Sequence, residues 1–391
     1  MTQQVHRYTC DFAGKELVIE TGKLAQQAGG AVTVRLGDTM VFATATMSKS
    51  PRDGINFFPL SVDYEERLYA GGRIPGSYFR REGRPSEQAI LIARVVDRTL
   101  RPLFPKGLRN EVQVILLSLS HDGEHQIDML GIIAASAALA ISDVPWNGPV
   151  AGVRVGLIDG ELVVNPTHSQ MEDSLLDLRV SGTADAVNMV ECGANEVDEE
   201  TMVRALMLAH ESIQPVIETI NRMREEVGKP KAEFTPFLPD ESVIAEVRDK
   251  VYDRVRDIII NHTDKSERGE ALSALRDELL AEYEQRNADA VAAAAEGEEP
   301  AIVSLSDVAE GFEAVVKEAV RQRIIKEGIR PDGRGYTDIR ALSAEVGIVP
   351  RVHGSGLFSR GETQVLTILT LGTPRDAKKL DGLSPEETRR Y

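Results

Sequence analysis

The chain begins one stretch twice, and this limits its architecture more than any other feature. Gly30 to Thr46 returns as Gly354 to Thr370: the turn Gly37-Asp38-Thr39 matches Gly361-Glu362-Thr363 at a constant spacing, Val41 matches Val365, and Thr46 matches Thr370. A repeat over so long a distance means that one folding unit is used twice, so whatever the first stretch builds must be started again by the second. The chain stops at Tyr391, too soon to finish a second copy. The expectation is one complete unit, an intervening part and the beginning of a second unit, as a piece of a longer protein.

The first unit reads as α+β. Leu17 to Glu20, Ala31 to Arg35 and Met40 to Thr46 are rich in β-branched residues and are broken at Gly29-Gly30 and Gly37-Asp38, which predicts an antiparallel meander. Ser86 is placed to cap a helix with Glu87 in its first turn, and Pro102 ends it. Val112 to Ser120 predicts a buried strand, and Ile127 to Ile141 a helix whose small residues let it pack closely on a sheet. Val150 to Leu157, Glu161 to Asn165 and Asp177 to Ser181 add strands, with a hairpin turn at Asp159-Gly160. Glu199 to Gly228 reads as one amphipathic helix closing a domain of residues 1–228. The three prolines of 229–239 suggest a linker. From 240 to 327 the pattern is helical, with Val243, Val247, Val251, Val255, Ile258 and Ile259 on one face, which predicts a small all-helical domain. Within it, Ala281 to Pro300 is acidic and alanine-rich and is expected to be an exposed, partly disordered loop or helix end. Residues 328–391 are the restarted unit.

Charge directs attention to one loop. The chain carries a net charge of −17, which argues against nonspecific wrapping of nucleic acid and confines any polyanion to local basic features. From Arg73 to Arg109 there are nine Lys/Arg against three acids, a local excess of six positive charges. Tyr78-Phe79 stand beside Arg80-Arg81, with Arg84 close by. Guanidinium forks grip phosphates and aromatic faces stack on bases, so this loop predicts capture of single-stranded nucleic acid. On the helix that follows, Arg94, Arg98 and Arg101 fall on one face and are candidates for the RNA backbone or phosphate; the alternative is that they are solvated or paired with Glu82, Glu87 or Asp97.

Other chemistry is thin. Cys10 and Cys192 form neither a disulfide framework nor a thiolate metal site. His121-Asp122-Gly123-Glu124-His125 has a metal-like spacing but lies at a glycine turn, where that spacing does not put two rings on one face, so no metal role is assigned. His168, His210 and His353 stand alone and read as structural or surface residues. No phosphate-binding Walker loop, dinucleotide fingerprint or nucleophile elbow is present. With no apolar signal-peptide core and no apolar run long enough for a membrane span, the expectation is a cytoplasmic protein without a membrane partner.

Several longer motifs carry a resemblance. Tyr78-Phe79-Arg80-Arg81-Glu82-Gly83-Arg84-Pro85-Ser86, Asp97-Arg98-Thr99-Leu100-Arg101-Pro102-Leu103-Phe104-Pro105, Asn147-Gly148-Pro149, Arg330-Pro331-Asp332-Gly333-Arg334 and Arg360-Gly361-Glu362-Thr363-Gln364 together resemble the bacterial polynucleotide phosphorylase family, in the family's order over nearly the whole chain. The resemblance implies two RNase PH-like α+β cores joined by an all-helical domain, followed by KH and OB-fold modules, in a homotrimeric ring. It implies a 3′-to-5′ exoribonuclease of mRNA turnover that uses inorganic phosphate to release nucleoside diphosphates from single-stranded RNA, and that runs in reverse as a polymerase. Other RNA-degradation proteins are further partners to expect. In the family the Asp pair that holds Mg2+ and the phosphate-binding serines lie in the second core, beyond Tyr391. The first copy has Met171 and Asp177 at the corresponding spacing, with one carboxylate gone. Hence no catalytic and no metal residue is expected in these 391 residues, which are predicted to be inactive alone, while Tyr78, Phe79, Arg80, Arg81 and Arg84 line an RNA-threading constriction. Two rival readings stay open: a noncatalytic RNA-binding or scaffolding protein built on a dead core, and a single-core phosphorolytic nuclease trimming tRNA ends, against which the helical domain and the repeat both argue.

Overall fold

The computed structural model describes residues 4–52, 55, 57–75, 83–294, 300–385 and 388–390. The chain divides into two compact units, Met1–Phe237 with Ala377–Tyr391, and Leu238–Asp376.

In the first unit, β1 (His6–Phe12), β2 (Lys15–Thr21), β3 (Gly30–Leu36), β4 (Thr39–Met47) and β5 (Leu60–Glu65) precede α1 (Glu87–Leu100) and β6 (Val112–Ser120). These strands form one sheet in the order β1-β2-β3-β4-β6-β5. The expected meander extends from β1 to β4, but β5 joins the sheet parallel to β6 and occupies its edge. Then come α2 (Ile127–Ile141), β7 (Ala151–Ile158), β8 (Glu161–Val164), the single turn α3 (His168–Met171), β9 (Leu176–Gly182), β10 (Val187–Ala194), α4 (Glu199–Ser212) and α5 (Gln214–Val227). The second sheet runs β10-β9-β7-β8 and is antiparallel throughout. At its β7–β8 hairpin Asp159 and Gly160 both take positive φ, as a tight two-residue turn demands.

The core is organised by α2. All of its residues are buried, because apart from Asp128 and Ser136 it is apolar on every side and packs against β3 and β4 of one sheet and β7 of the other. Close approach depends on small residues: a Cβ on Gly30 would collide with the Ala138 carbonyl oxygen. The helix expected as one from Glu199 to Gly228 is instead two. Ile213 separates them, and Pro215, which has no N–H to continue the ladder, sits in the first turn of α5. The stretch expected as a linker lies along the first core. Lys231 donates its ammonium to the carbonyls of Leu139, Ala140 and Ser142 at 2.9, 3.1 and 2.7 Å, closing the C-terminus of α2, and burial pushes its pKa down to about 8.

The second unit holds α6 (Glu241–Asn261), α7 (Lys265–Ala293) and α8 (Leu305–Glu327), then β11 (Leu342–Val346), β12 (Gly354–Arg360) and β13 (Thr363–Leu369). Val243, Val247, Val251, Val255 and Ile259 recur every fourth residue on α6 and are buried with Tyr283, Phe312 and Val315. The acidic stretch from Ala281 is helical as far as Ala293. The strands β11-β12-β13 form an antiparallel sheet. Here the repeat becomes geometry: adding 324 to the pairs Gly30↔Ala45 and Leu36↔Thr39 gives Gly354↔Leu369 and Arg360↔Thr363, which is the observed register. Gly37 and Gly361 share a φ of 59°. Residues Lys378–Lys379 (β14) and Thr388–Arg389 (β15) pair as a short ribbon that belongs to the first unit.

Candidate nucleic-acid interface

The basic loop is framed by two well-defined ends. At its start Gly72 takes φ 69° after a short helical turn; at its close Gly83 takes φ 64° and Ser86 caps α1 by accepting from Ala89 N at 3.1 Å. Residues 76–82, with Tyr78, Phe79, Arg80 and Arg81, lie outside the described residues. Arg84 is exposed.

The three helix arginines differ in their engagement. Arg94 is exposed and makes no ion pair among the described residues. Arg98 donates to Glu191 at 3.2 Å. Arg101 is held by both oxygens of Asp97, at 2.8 and 2.6 Å, and by the carbonyls of Phe58 and Leu60; its bonds to Asp97 raise its pKa. All three line a groove of 1050 Å³ between α1 and the edge strand β5, together with Leu60, Val62 and Ile90. Arg94 therefore presents a cation to a ligand at once, whereas Arg98 and Arg101 must first give up a carboxylate.

Beside this groove lies an ionic cluster that sequence reasoning missed. Asp128, in the first turn of α2, accepts from Arg154 at 2.6 Å and faces Arg179 at 3.4 Å. Asp177 lies 3.4 Å from Arg154 and is bonded by Arg179 at 3.1 Å, and Arg179 is 3.7 Å from Glu191. Burial works against the Asp128 charge, but the two guanidiniums and the Met129 N–H outweigh it and hold its pKa below the ordinary range. The one sequence signal was an arginine between valines, Val153-Arg154-Val155, in a strand of buried residues.

Next to it, His121 and His168 meet edge-on with ring centroids 6.1 Å apart, so His168 does not stand alone as expected. Burial lowers the pKa of both, aided at His168 by the positive charge of Arg154. His125 turns elsewhere, to Asp122 at 2.6 Å and Lys15 at 3.2 Å, while His121 lies 3.3 Å from the Thr39 hydroxyl. The two histidines of the metal-like spacing thus have separate partners. Asp177 is paired with Arg154 and Arg179, and among the described residues no group of three His, Cys, Asp or Glu could hold a metal.

Residues 13–145, which carry most of the six-stranded sheet with α1 and α2, match the family model "3′ exoribonuclease family, domain 1"; residues 148–212, the second sheet with α4, match domain 2 of that family. Residues 242–335 match "Polyribonucleotide nucleotidyltransferase, RNA binding domain". The class is therefore a 3′ exoribonuclease-type α+β core with a helical domain attached. Curated relatives named polyribonucleotide nucleotidyltransferase align along the whole chain: 48% identical over 99% of this chain and 48% of the relative in Thermomicrobium roseum, 49% over 100% and 53% in Halalkalibacterium halodurans, and 48% over 99% and 53% in Thermus thermophilus. The chain belongs to the polyribonucleotide nucleotidyltransferase family, and it spans about half the length of the curated relatives it matches. Among solved structures, a chain from an Archaeoglobus fulgidus exosome with RNA bound to the active site aligns over 58% of this chain and 89% of its own, at a TM-score of 0.41 and 19% identity, too distant a likeness to carry an argument. No helix among the described residues is long and apolar enough to cross a membrane.

Proposed function

We propose that the chain is the RNA-gripping part of a phosphorolytic 3′-to-5′ exoribonuclease. The observation that carries this reading is the likeness, end to end, to relatives named polyribonucleotide nucleotidyltransferase. The local reversal of charge around the basic loop supports it. In the reaction a phosphate oxygen attacks the terminal phosphodiester; a new P–O bond forms, the bond to the 3′ oxygen of the preceding nucleotide breaks, and a nucleoside diphosphate leaves while the RNA shortens by one. Because inorganic phosphate is itself the nucleophile, no activated serine or cysteine is needed, and catalysis rests on holding two anions together and neutralising their charge.

In this division of labour Tyr78, Phe79, Arg80, Arg81 and Arg84 thread a single strand, three copies of the loop forming a cationic ring in a homotrimer. Arg94 contacts the backbone, with Arg98 and Arg101 held back by their carboxylates. Domains at 1–228, 240–327 and 328–391, joined through 229–239, would place the grip on the first core and the reaction on the second. Mg2+, when bound, would supply charge neutralisation, held by residues of the second core. The setting is mRNA turnover in the cytoplasm, with other RNA-degradation proteins as further partners. The full-length protein, given phosphate, Mg2+ and poly(A), is expected to release ADP, and the 391-residue chain alone to release none. Turnover by the isolated chain would place the active centre in the first core and overturn this assignment.

A further inference from the structure

Residues Asp381 to Ser384 follow the restarted hairpin in sequence, yet they are built into the first unit. Leu383 is 5% exposed within the main core. Its backbone N–H donates to Glu66 Oε1 at 2.7 Å. The other oxygen of that carboxylate, Oε2, accepts from Ser86 Oγ at 2.8 Å, the hydroxyl that also caps α1. One residue earlier, the Gly382 carbonyl accepts from the Arg73 guanidinium. Lys378 adds an ion pair to Glu87, the first residue of α1, at 3.2 Å. Arg73 opens the basic loop and Ser86 closes it. The two faces of a single peptide unit of the strap, the Gly382 carbonyl and the Leu383 N–H, together with one carboxylate, therefore tie both ends of the loop.

We infer that the Asp381–Ser384 strap, acting through Glu66, positions the basic loop, so that the RNA grip of the first core depends on a segment contributed by the second copy. Glu66 is a positioning residue and does not itself meet the ligand. The physical reason is entropic: fixing both ends of a loop before the ligand arrives removes part of the ordering cost that binding would otherwise carry. The bonds involved have an ionised partner at Glu66 or Arg73, the stronger class of hydrogen bond. The inference rests on the proposed role of the loop in holding RNA.

The test uses the full-length protein, a fluorescein-labelled oligo(A) single strand, and trypsin cleavage at Arg73–Ile74. Ile74 is 87% exposed, but the Arg73 side chain must leave Gly382 to enter the protease. In Glu66→Gln and, separately, Leu383→Ala, cleavage is expected to be about tenfold faster and oligo(A) affinity about fivefold to tenfold weaker, the scale of one lost hydrogen bond. The thermal midpoint is expected to fall little in Glu66→Gln, which keeps the shape of the side chain; Leu383→Ala keeps the test decisive if Glu66→Gln folds poorly. Unchanged cleavage in both variants overturns the strap. Faster cleavage with unchanged affinity, in a protein that Arg80→Ala with Arg81→Ala weakens, overturns its positioning role. If that double variant also leaves affinity unchanged, the RNA reading of the loop fails while faster cleavage upholds the anchor.

Discussion

At the scale of single residues, the first core spends its polar side chains on one another. Asp128, Asp177, Arg154 and Arg179 neutralise each other in a site where unpaired charge would be costly. His121 and His168 share the neighbourhood as neutral rings. Their folded pKa values lie below the ordinary 6.5, so as pH falls through that value the unfolded chain takes up protons before the folded one does. Stability is complete above 6.5 and declines below it. The thermal midpoint of the chain should therefore drop from pH 7.5 to 5.5, and His168→Gln should drop less over the same range; equal slopes in a melting series would count against the histidine pair as the cause.

At the scale of elements, α2 and the β3–β4 hairpin set the design. The helix can lie on the hairpin because Gly30 has no side chain where Ala138 passes, so Gly30→Ala forces the helix outward. Urea unfolding should show a loss of about 1–3 kcal/mol, the usual cost of overpacking a tight core. A loss below about 0.5 kcal/mol, the ordinary range for a surface change, would mean that the helix has room to shift. In the repeated hairpin the register is kept but the surroundings are not. Val34 and Val41 are fully buried, whereas their counterparts Phe358 and Val365 are 47% and 56% exposed. The turn glycines and strand pairing are local properties of the repeat.

At the scale of the whole molecule, charge distribution decides what the chain can hold. A net charge of −17 disfavours a polyanion over most of the surface, so under the proposed function RNA affinity rests on the basic loop and its helix. Each phosphate contact on a single strand adds roughly 0.7 to the slope of log K against log salt, so Arg80→Ala with Arg81→Ala should flatten that slope by about 1.4 in the full-length protein. A slope equal to that of the unsubstituted protein across a salt titration would remove these arginines from the interface.

What the sequence determined by itself was whatever depends on near neighbours. The Gly37 and Gly361 turns, the Ser86 cap, the bounds of α2 and the valine stripe of α6 follow from local sterics, capping and periodicity, and were legible there. The single helix expected from 199 to 228 failed for a local reason, since Pro215 was present to be read. Tertiary structure alone decided the rest. A short strand of mixed polarity such as β5 does not announce whether its partner runs parallel, and Arg154 and Arg179 do not reveal that they will meet Asp128 and Asp177. Nor does Leu383 show that it will be buried beside Gly71, more than three hundred residues away. Each of these depends on contacts between distant segments, which burial and charge pairing select only once the chain has closed on itself.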